Sequence, residues 1–418
     1  MQNTSCKVWV TGMGTVNSTG RSVATLWKSV LEKESFIKEG FGLIPDELLF
    51  SLEQDLLHFL PASQGIRIRE LFQKPTTSKL TLLTLHSACQ AMQSAGWEKL
   101  QEGDAVFFAT TTGQIPVWEN DLMDYLEGRI TSPKLAETFQ YEPLGISIRD
   151  TLKILGGHGC RTQVISSACS ASTQALVLAS LWLKEGKAPP SGKARRALVG
   201  GTELLCRLTG SGFKGLQLLS SEPATPFGPN RKGINLSEAS AFLCLETEPQ
   251  NPPLALLSGG GLANDAYHMT SPDPTGEGIC RAMKAALHSA GLRPSAITWV
   301  HAHGTGSQAN DDAEAKAIQT LFAGCRPIVS STKPIHGHAL AASGVLESII
   351  CMMGIREGIV PATRGLTSLH GTEDLTFGTL SLPGEHQSLP VRHVLKNSLG
   401  FGGANAAVVF SSCELESS

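Results

Sequence analysis

Apolar positions along this chain fall into two rhythms: unbroken blocks of strand length, and longer stretches in which they return every third or fourth residue. Val8–Thr11, Ala105–Thr110, Val164–Ser166, Ala197–Gly200 and Ala241–Leu245 are of the first kind and predict strands. Arg21–Glu34, Lys79–Ala95 and Ala171–Glu185 are of the second and predict helices with one apolar face. Strands and helices alternating through short glycine-rich connections imply an α/β architecture. The proline-rich run Pro249–Pro253 interrupts the alternation and sets a boundary between residues 1–250 and 251–418.

Beyond that boundary the order of elements repeats. CQAMQSAG at Cys89–Gly96 runs into the strand AVFFATTTG, as MKAALHSAG at Met283–Gly291 runs into ITWVHAHGTG. VISSACSASTQALVLAS at Val164–Ser180 is echoed by IVSSTKPIHGHALAASGVLES at Ile328–Ser348, in each case an apolar strand, Ser-Ser, then a helix. Two matches in the same order point to an internal duplication. Chemistry in α/β proteins sits at the carboxyl ends of strands, so both Ser-Ser segments are candidate walls of a site.

Charge narrows the function classes. With 34 Lys+Arg against 37 Asp+Glu and a net charge of -3, the 418 residues lack the basic footprint of a nucleic-acid binder. Charged residues make up 17% and glycine is abundant at 43 residues, which excludes disorder, collagen and coiled coil. No apolar run reaches the ~18 residues of a membrane span. Val345–Ile355 comes nearest, but it is short, contains Glu347 and reads as a buried helix. Met1–Ser5 lacks the basic start and apolar run of a signal peptide. A cytoplasmic protein is expected, and its 10 cysteines, without Cys-x-x-Cys or zinc spacing, are expected to be free thiols.

Gly12-Met13-Gly14 matches a dinucleotide loop poorly, because Asn17 stands where the third glycine belongs, and it reads as a tight turn. Gly157-His158-Gly159-Cys160 reads the same way. Cys169, in Ser166-Ser167-Ala168-Cys169-Ser170, is different: it places a thiol between a buried strand and a helix N-terminus, where a thiolate is favoured. Lowering a thiol pKa from ~8.5 to ~7 takes about 2 kcal/mol, whereas a helix dipole supplies ~0.3–1, so a cationic or hydrogen-bonding group is expected beside it. His301-Ala302-His303 ends a strand and His336-Gly337-His338 begins a helix. Each pair is half of a metal site or, with Lys333 three residues before His336, part of a nucleophile-and-base centre. The lack of paired carboxylates and the opposing lysine favour the second. Asn397–Asn405, with glycines on both sides of Phe401, reads as a turn whose N–H groups approach a ligand, or as an ordinary hairpin.

Four motifs then carry a resemblance: Ser-Ala-Cys-Ser at 167–170, Ala-His-Gly-Thr-Gly at 302–306, Ser-Thr-Lys-x-x-x-Gly-His at 331–338 and Gly-Phe-Gly-Gly at 400–403. In order and spacing the chain resembles, over nearly its whole length, the β-ketoacyl-acyl-carrier-protein synthases (ketosynthases) of the thiolase fold. The resemblance implies a five-layer αβαβα fold of two duplicated halves, residues 1–250 with the nucleophile Cys169 and residues 251–418 with His303, Lys333 and His338. It implies decarboxylative Claisen condensation. Cys169 takes an acyl group from the phosphopantetheine arm of an acyl carrier protein; malonyl-carrier protein then loses carbon dioxide and attacks the enzyme thioester.

Family positions select His303 and His338 as donors to the malonyl thioester oxygen, leaving His301 and His336 as neighbours. They imply that Lys333, balanced by Glu314 on a helix Asp311–Leu321, holds the histidines. The backbone N–H groups of Cys169 and Phe401 would form the oxyanion hole, Phe401 a gate, and Thr305 and Ser307 a pantetheine site. Arg67, Arg69 and Lys74 would form the basic patch that docks an acidic carrier protein. No metal or bound cofactor is implied, and the assembly expected is a homodimer or a heterodimer with a second ketosynthase-like subunit. Thr225-Pro226-Phe227-Gly228, Arg231-Lys232-Gly233-Ile234 and Ser237-Glu238-Ala239 depart from the usual family pattern. The chain is thus more similar to divergent ketosynthases of specialised pathways, aryl-polyene and type II polyketide among them, than to housekeeping fatty-acid enzymes. The alternative is a non-condensing, chain-length-factor-like partner subunit; such relatives typically lack the cysteine, so Cys169 favours an active enzyme. A metal-dependent hydrolase built on the His-x-His pairs is the third reading.

Overall fold

The computed structural model describes residues 6–60, 68–69, 78–139, 144–185, 195–366, 377 and 379–413. The ten strands of its main sheet are β1 (Trp9–Asn17), β2 (Ala105–Ala109), β3 (Arg161–Ile165), β4 (Arg196–Glu203), β5 (Ala239–Glu246), β6 (Ala255–Asn264), β7 (Trp299–His301), β8 (Ile328–Ser330), β9 (His393–Gly400) and β10 (Ala404–Ser411). Their order is β8-β7-β9-β10-β6-β1-β5-β4-β2-β3. Counted outward from the central pair, one half runs β1-β5-β4-β2-β3 and the other β6-β10-β9-β7-β8, the same series five strands on. The halves meet where β1 and β6 pair antiparallel through Trp9–Leu256 and Val10–Ala255. In each half one strand (β2 or β7) lies parallel to both its neighbours, and another (β5 or β10) runs antiparallel to the strand beside it. The duplication read from the sequence is therefore written in the sheet.

Helices complete five layers. Those that matter for the site are α1 (Lys79–Ala95), α2 (Ala171–Glu185), α3 (Arg207–Gly215), α4 (Glu277–Ala290), α5 (Gln308–Leu321), α6 (Lys333–His336) and α7 (Ser343–Glu357). Between the half-sheets lie α2, which touches β2, β4, β6 and β10, and α7, which touches β5 and β9. Residues Ser343 to Gly354 of α7 are all buried, which explains why its sequence shows no polar face. Leu176, Val345, Leu346, Ile349 and Ile350 are within 1% of full burial there, and each such side chain contributes roughly 1.5–3 kcal/mol. No helix among the described residues is long and apolar enough to cross a membrane.

The outer helices explain a glycine pattern that the sequence reading misplaced. Gly12 and Gly14 form neither a turn nor a nucleotide loop: they lie inside β1, beneath α1. A Cβ on Gly12 would fall 2.1 Å from the Ala91 carbonyl oxygen, and one on Gly14 2.3 Å from that of Ser87. Gly259 and Gly261 repeat the device in β6, 2.3 and 2.2 Å from carbonyls of α4. Each helix sits directly on its sheet because the strand below presents no side chain. Elsewhere boundaries shift: the first helix spans Val23–Leu31, with Ser22 accepting from the Thr25 N–H, and β3 reaches back to Arg161, whose exposed start forms the sheet edge.

Candidate active site

The chain leaves β3 at Ile165 and enters α2 at Ala171, turning between them at Ala168, whose φ is +46°. A left-handed backbone at a residue with a Cβ costs roughly 1–2 kcal/mol. Local bonds hold the turn: the Ala171 N–H donates to the Ala168 carbonyl at 3.2 Å, and the Gln174 amide donates to Ser167 and Ser170 hydroxyls at 2.7 and 2.9 Å. The result places Cys169 just before the first turn of α2, 5% exposed, on the wall of a cavity shared with His303, His338, Thr305, Ser307 and Phe401.

The histidines arrive from the other half. After β7 the chain forms a loop whose backbone is gripped by α5: Glu314 accepts the N–H groups of His303 at 2.6 Å and Gly304 at 2.8 Å, and Asp311 accepts that of Thr305 at 3.1 Å. After β8, α6 carries Lys333 and the turn into α7 carries His338. The two imidazoles meet edge to face, centroids 5.1 Å apart. The Lys333 ammonium donates to the His303 carbonyl at 2.5 Å, pairs with Glu347, and stands 3.4 Å from His303 Nδ1. An ammonium has no lone pair to offer, so His303 Nδ1 is an acceptor and its proton sits on Nε2. His338 Nδ1 lies 2.9 Å from the Ser343 hydroxyl, which can impose the same tautomer. Burial first, and Lys333 second, hold both imidazoles well below their ordinary pKa, so they are neutral donors.

Cys169 departs from its sequence expectation. The cation expected beside it is present, and Lys333 does pull its pKa down. Burial nevertheless pushes the thiol up to about 12, with Glu203 adding to the push. The lysine is already committed to Glu347, so the resting group is a thiol.

Glu314 is also corrected: it holds the His303 loop and accepts from the Asn397 amide at 2.8 Å, rather than balancing Lys333. That balance falls to Glu347 of α7, which also pairs with Lys396 of β9 at 2.7 Å. Lys333 and Lys396 together hold the Glu347 carboxyl well below the usual range against the opposing effect of burial. Sequence reasoning met Glu347 only as a charge spoiling a membrane span, and passed over Lys396. The signal was there in both: a lone charge inside an apolar element is costly unless paired.

Phe401 lies at the tip of the β9–β10 hairpin, so both readings of that segment apply: it is a hairpin, and it approaches the site. Gly400 lets it do so, since a Cβ there would stand 3.0 Å from the Ser167 carbonyl oxygen. The Phe401 ring stacks on Phe213 of α3 at 5.3 Å, closing one side of the cavity. Thr305 and Ser307 hydroxyls sit 3.1 Å apart on its wall. The divergent 225–240 stretch backs this loop, with the Gly233 N–H donating to the Gly306 carbonyl at 3.3 Å. Each His-x-His pair is split, His303 and His338 lining the cavity while His301 and His336 lie behind it, joined through Thr332 at 3.1 and 2.9 Å. Arg69 is exposed; Arg67 and Lys74 lie outside the described residues.

Residues 6–251 match the family "Beta-ketoacyl synthase, N-terminal domain" and residues 254–367 "Beta-ketoacyl synthase, C-terminal domain". The chain is 30% identical to 3-oxoacyl-[acyl-carrier-protein] synthase 2 of Coxiella burnetii, over 97% of this chain and 98% of that protein. It is 29% identical to nodulation protein E of Rhizobium meliloti, over 97% and 98%. Among solved structures it resembles the ketosynthase ApeO in complex with its chain length factor ApeC from Xenorhabdus doucetiae, with a TM-score of 0.80, 26% identity and 97% and 98% of the two chains covered. The ishigamide ketosynthase/chain length factor shares the fold at a TM-score of 0.82 and 23% identity, over 98% and 99%.

Proposed function

The chain belongs to the β-ketoacyl synthase family, and from that premise we propose that it condenses an acyl group with malonyl-acyl-carrier protein, in fatty-acid or polyketide biosynthesis. Cys169 accepts the acyl group from the phosphopantetheine arm of a carrier protein. The Cys169 Sγ–acyl bond forms as the acyl–pantetheine C–S bond breaks, and the thiol proton leaves on the departing pantetheine sulfur. The backbone N–H groups of Cys169 and Phe401 hold the oxyanion. Malonyl-carrier protein docks next, and its phosphopantetheine arm passes Thr305 and Ser307.

Loss of carbon dioxide from the malonyl unit sends the electron pair of the breaking C–C bond toward the thioester oxygen. The Nε2–H groups of His303 and His338 receive that charge, and each such donor is worth ~10²–10³ in rate. The α-carbon then attacks the Cys169 thioester, a C–C bond forms as the C–S bond breaks, and the cysteine sulfur leaves as a thiolate that takes a proton from water to return to the resting thiol. The observation that carries this reading is the meeting of Cys169, His303 and His338 on one cavity wall, with both histidines held neutral.

Incubation with acyl-carrier proteins followed by intact mass tests it. An acyl adduct that maps to Cys169, discharged on adding malonyl-carrier protein with release of carbon dioxide, is the expected result. Absence of any adduct would assign the chain instead to the non-condensing partner class.

A further inference from the structure

Lys396 is fully buried, and its ammonium donates to the Asn397 carbonyl at 2.5 Å and the Ser398 hydroxyl at 2.6 Å and forms an ion pair with Glu347 at 2.7 Å. Ser398 in turn lies 2.8 Å from the Thr173 hydroxyl, on the helix that begins beside Cys169. Lys396 therefore ties the second oxygen of Glu347 to β9 and, through Ser398, to α2. The first oxygen of the same carboxylate holds Lys333, which sets the tautomer of His303.

Charge gives the cluster a second property. Two lysines pair with one carboxylate, so the Lys333–Glu347–Lys396 cluster carries one excess positive charge. The charged and titratable groups facing His303 and His338 are Lys333 and His336 from α6, Glu347 from α7, Lys396 from β9 and the two imidazoles themselves, and Glu203 at the end of β4 faces Cys169 together with Lys333 and Glu347. Glu314 of α5 reaches the His303 backbone, and Cys351 of α7 faces Lys396. Glu347 is the anion among them that faces the imidazole rings, and it is shared by both lysines.

Building on the condensing function proposed above, we propose that Lys396 is a second positioning lysine: it anchors Glu347 so that Lys333 stays on His303, and it gives the cluster behind the two histidines its excess positive charge. It touches neither substrate nor reacting atoms.

The test separates acylation of Cys169, read by intact mass, from carbon dioxide release from malonyl-carrier protein, read across pH. Lys396→Met removes the excess cation, so the histidines protonate more readily. Decarboxylation is expected to fall at least about tenfold with acylation kept within about threefold, and its acid limb to move up by roughly 0.5–1 pH unit. A double variant, Glu347→Gln with Lys396→Met, restores one excess cation while leaving Lys333 an acceptor. Its acid limb is expected to return to the wild-type position while the rate stays low, a result that lost packing alone does not produce. If the single variant lacks native circular dichroism, the double variant decides by its rate. Wild-type decarboxylation in the double variant, or an unmoved acid limb in a folded single variant, overturns the inference alone. A wild-type protein inactive in both steps overturns it together with the function on which it rests.

Discussion

Alkylation of Cys169 by iodoacetamide should accelerate about tenfold per pH unit from pH 7 to 9.5 without reaching a plateau. Only the thiolate reacts, so the rate follows its population. Burial pushes the Cys169 thiol from an ordinary 9.0 up to about 12, which corresponds to about 4 kcal/mol against the thiolate at ~1.4 kcal/mol per pH unit. The start of α2 returns only ~0.3–1 kcal/mol, and Lys333 is engaged by Glu347 and the His303 carbonyl. At pH 8 about one thiol in 10⁴ is ionised on these figures. The assay is mass spectrometry of the Cys169 peptide at fixed reagent over a pH series; exposed Cys6 serves as an internal comparison. A profile that levels off with a midpoint near pH 7 would refute the reasoning, because it would require the helix start and Lys333 to outweigh desolvation.

Cys169→Ala is expected to abolish acyl transfer and condensation together, as followed by acyl-adduct mass and product formation. Lys333→Ala and His338→Ala should retain acylation of Cys169 within about threefold while decarboxylation falls ~10²–10³-fold; equal loss in both steps would contradict the division of roles. Ala168→Gly relieves the positive φ, so a stability gain of about 0.5–1 kcal/mol by urea denaturation is expected, with slower acylation because the turn that aims the thiol is loosened. Stability should also fall with acid. Burial lowers His301 from 6.5 to about 3 and His336 to about 4, so below pH 6.5 the unfolded chain binds protons that the folded chain does not. Each of these histidines costs roughly 2 kcal/mol between pH 6.5 and 5, and urea midpoints unchanged over that range would disprove their burial as neutral groups.

Much of the fold was legible because its rules are local. Strand blocks, helical faces and the echo between Val164–Ser180 and Ile328–Ser348 survive in the folded chain as β3–α2 and β8–α7. The role of Gly12 and Gly14 is not legible in the sequence, because a glycine that admits a turn and one that admits a helix overhead look alike until the helix is in place. The partner of Glu314 is not legible in the sequence: it grips the nearby His303 loop, whereas Lys333, on another element, pairs with Glu347.

The sequence by itself determined that this is a duplicated α/β protein, which cysteine stands at a strand-to-helix junction, and which histidines end the corresponding elements of the other half. Those facts follow from periodicity and from order along the chain. Only the tertiary structure decided that Cys169 rests as a thiol, that Lys333 answers to Glu347, and that Lys396 stands behind both. Charge balance in a buried site depends on which groups share the low-dielectric interior, and the side chains that do so here lie on β9, α6 and α7, brought together by packing rather than by spacing.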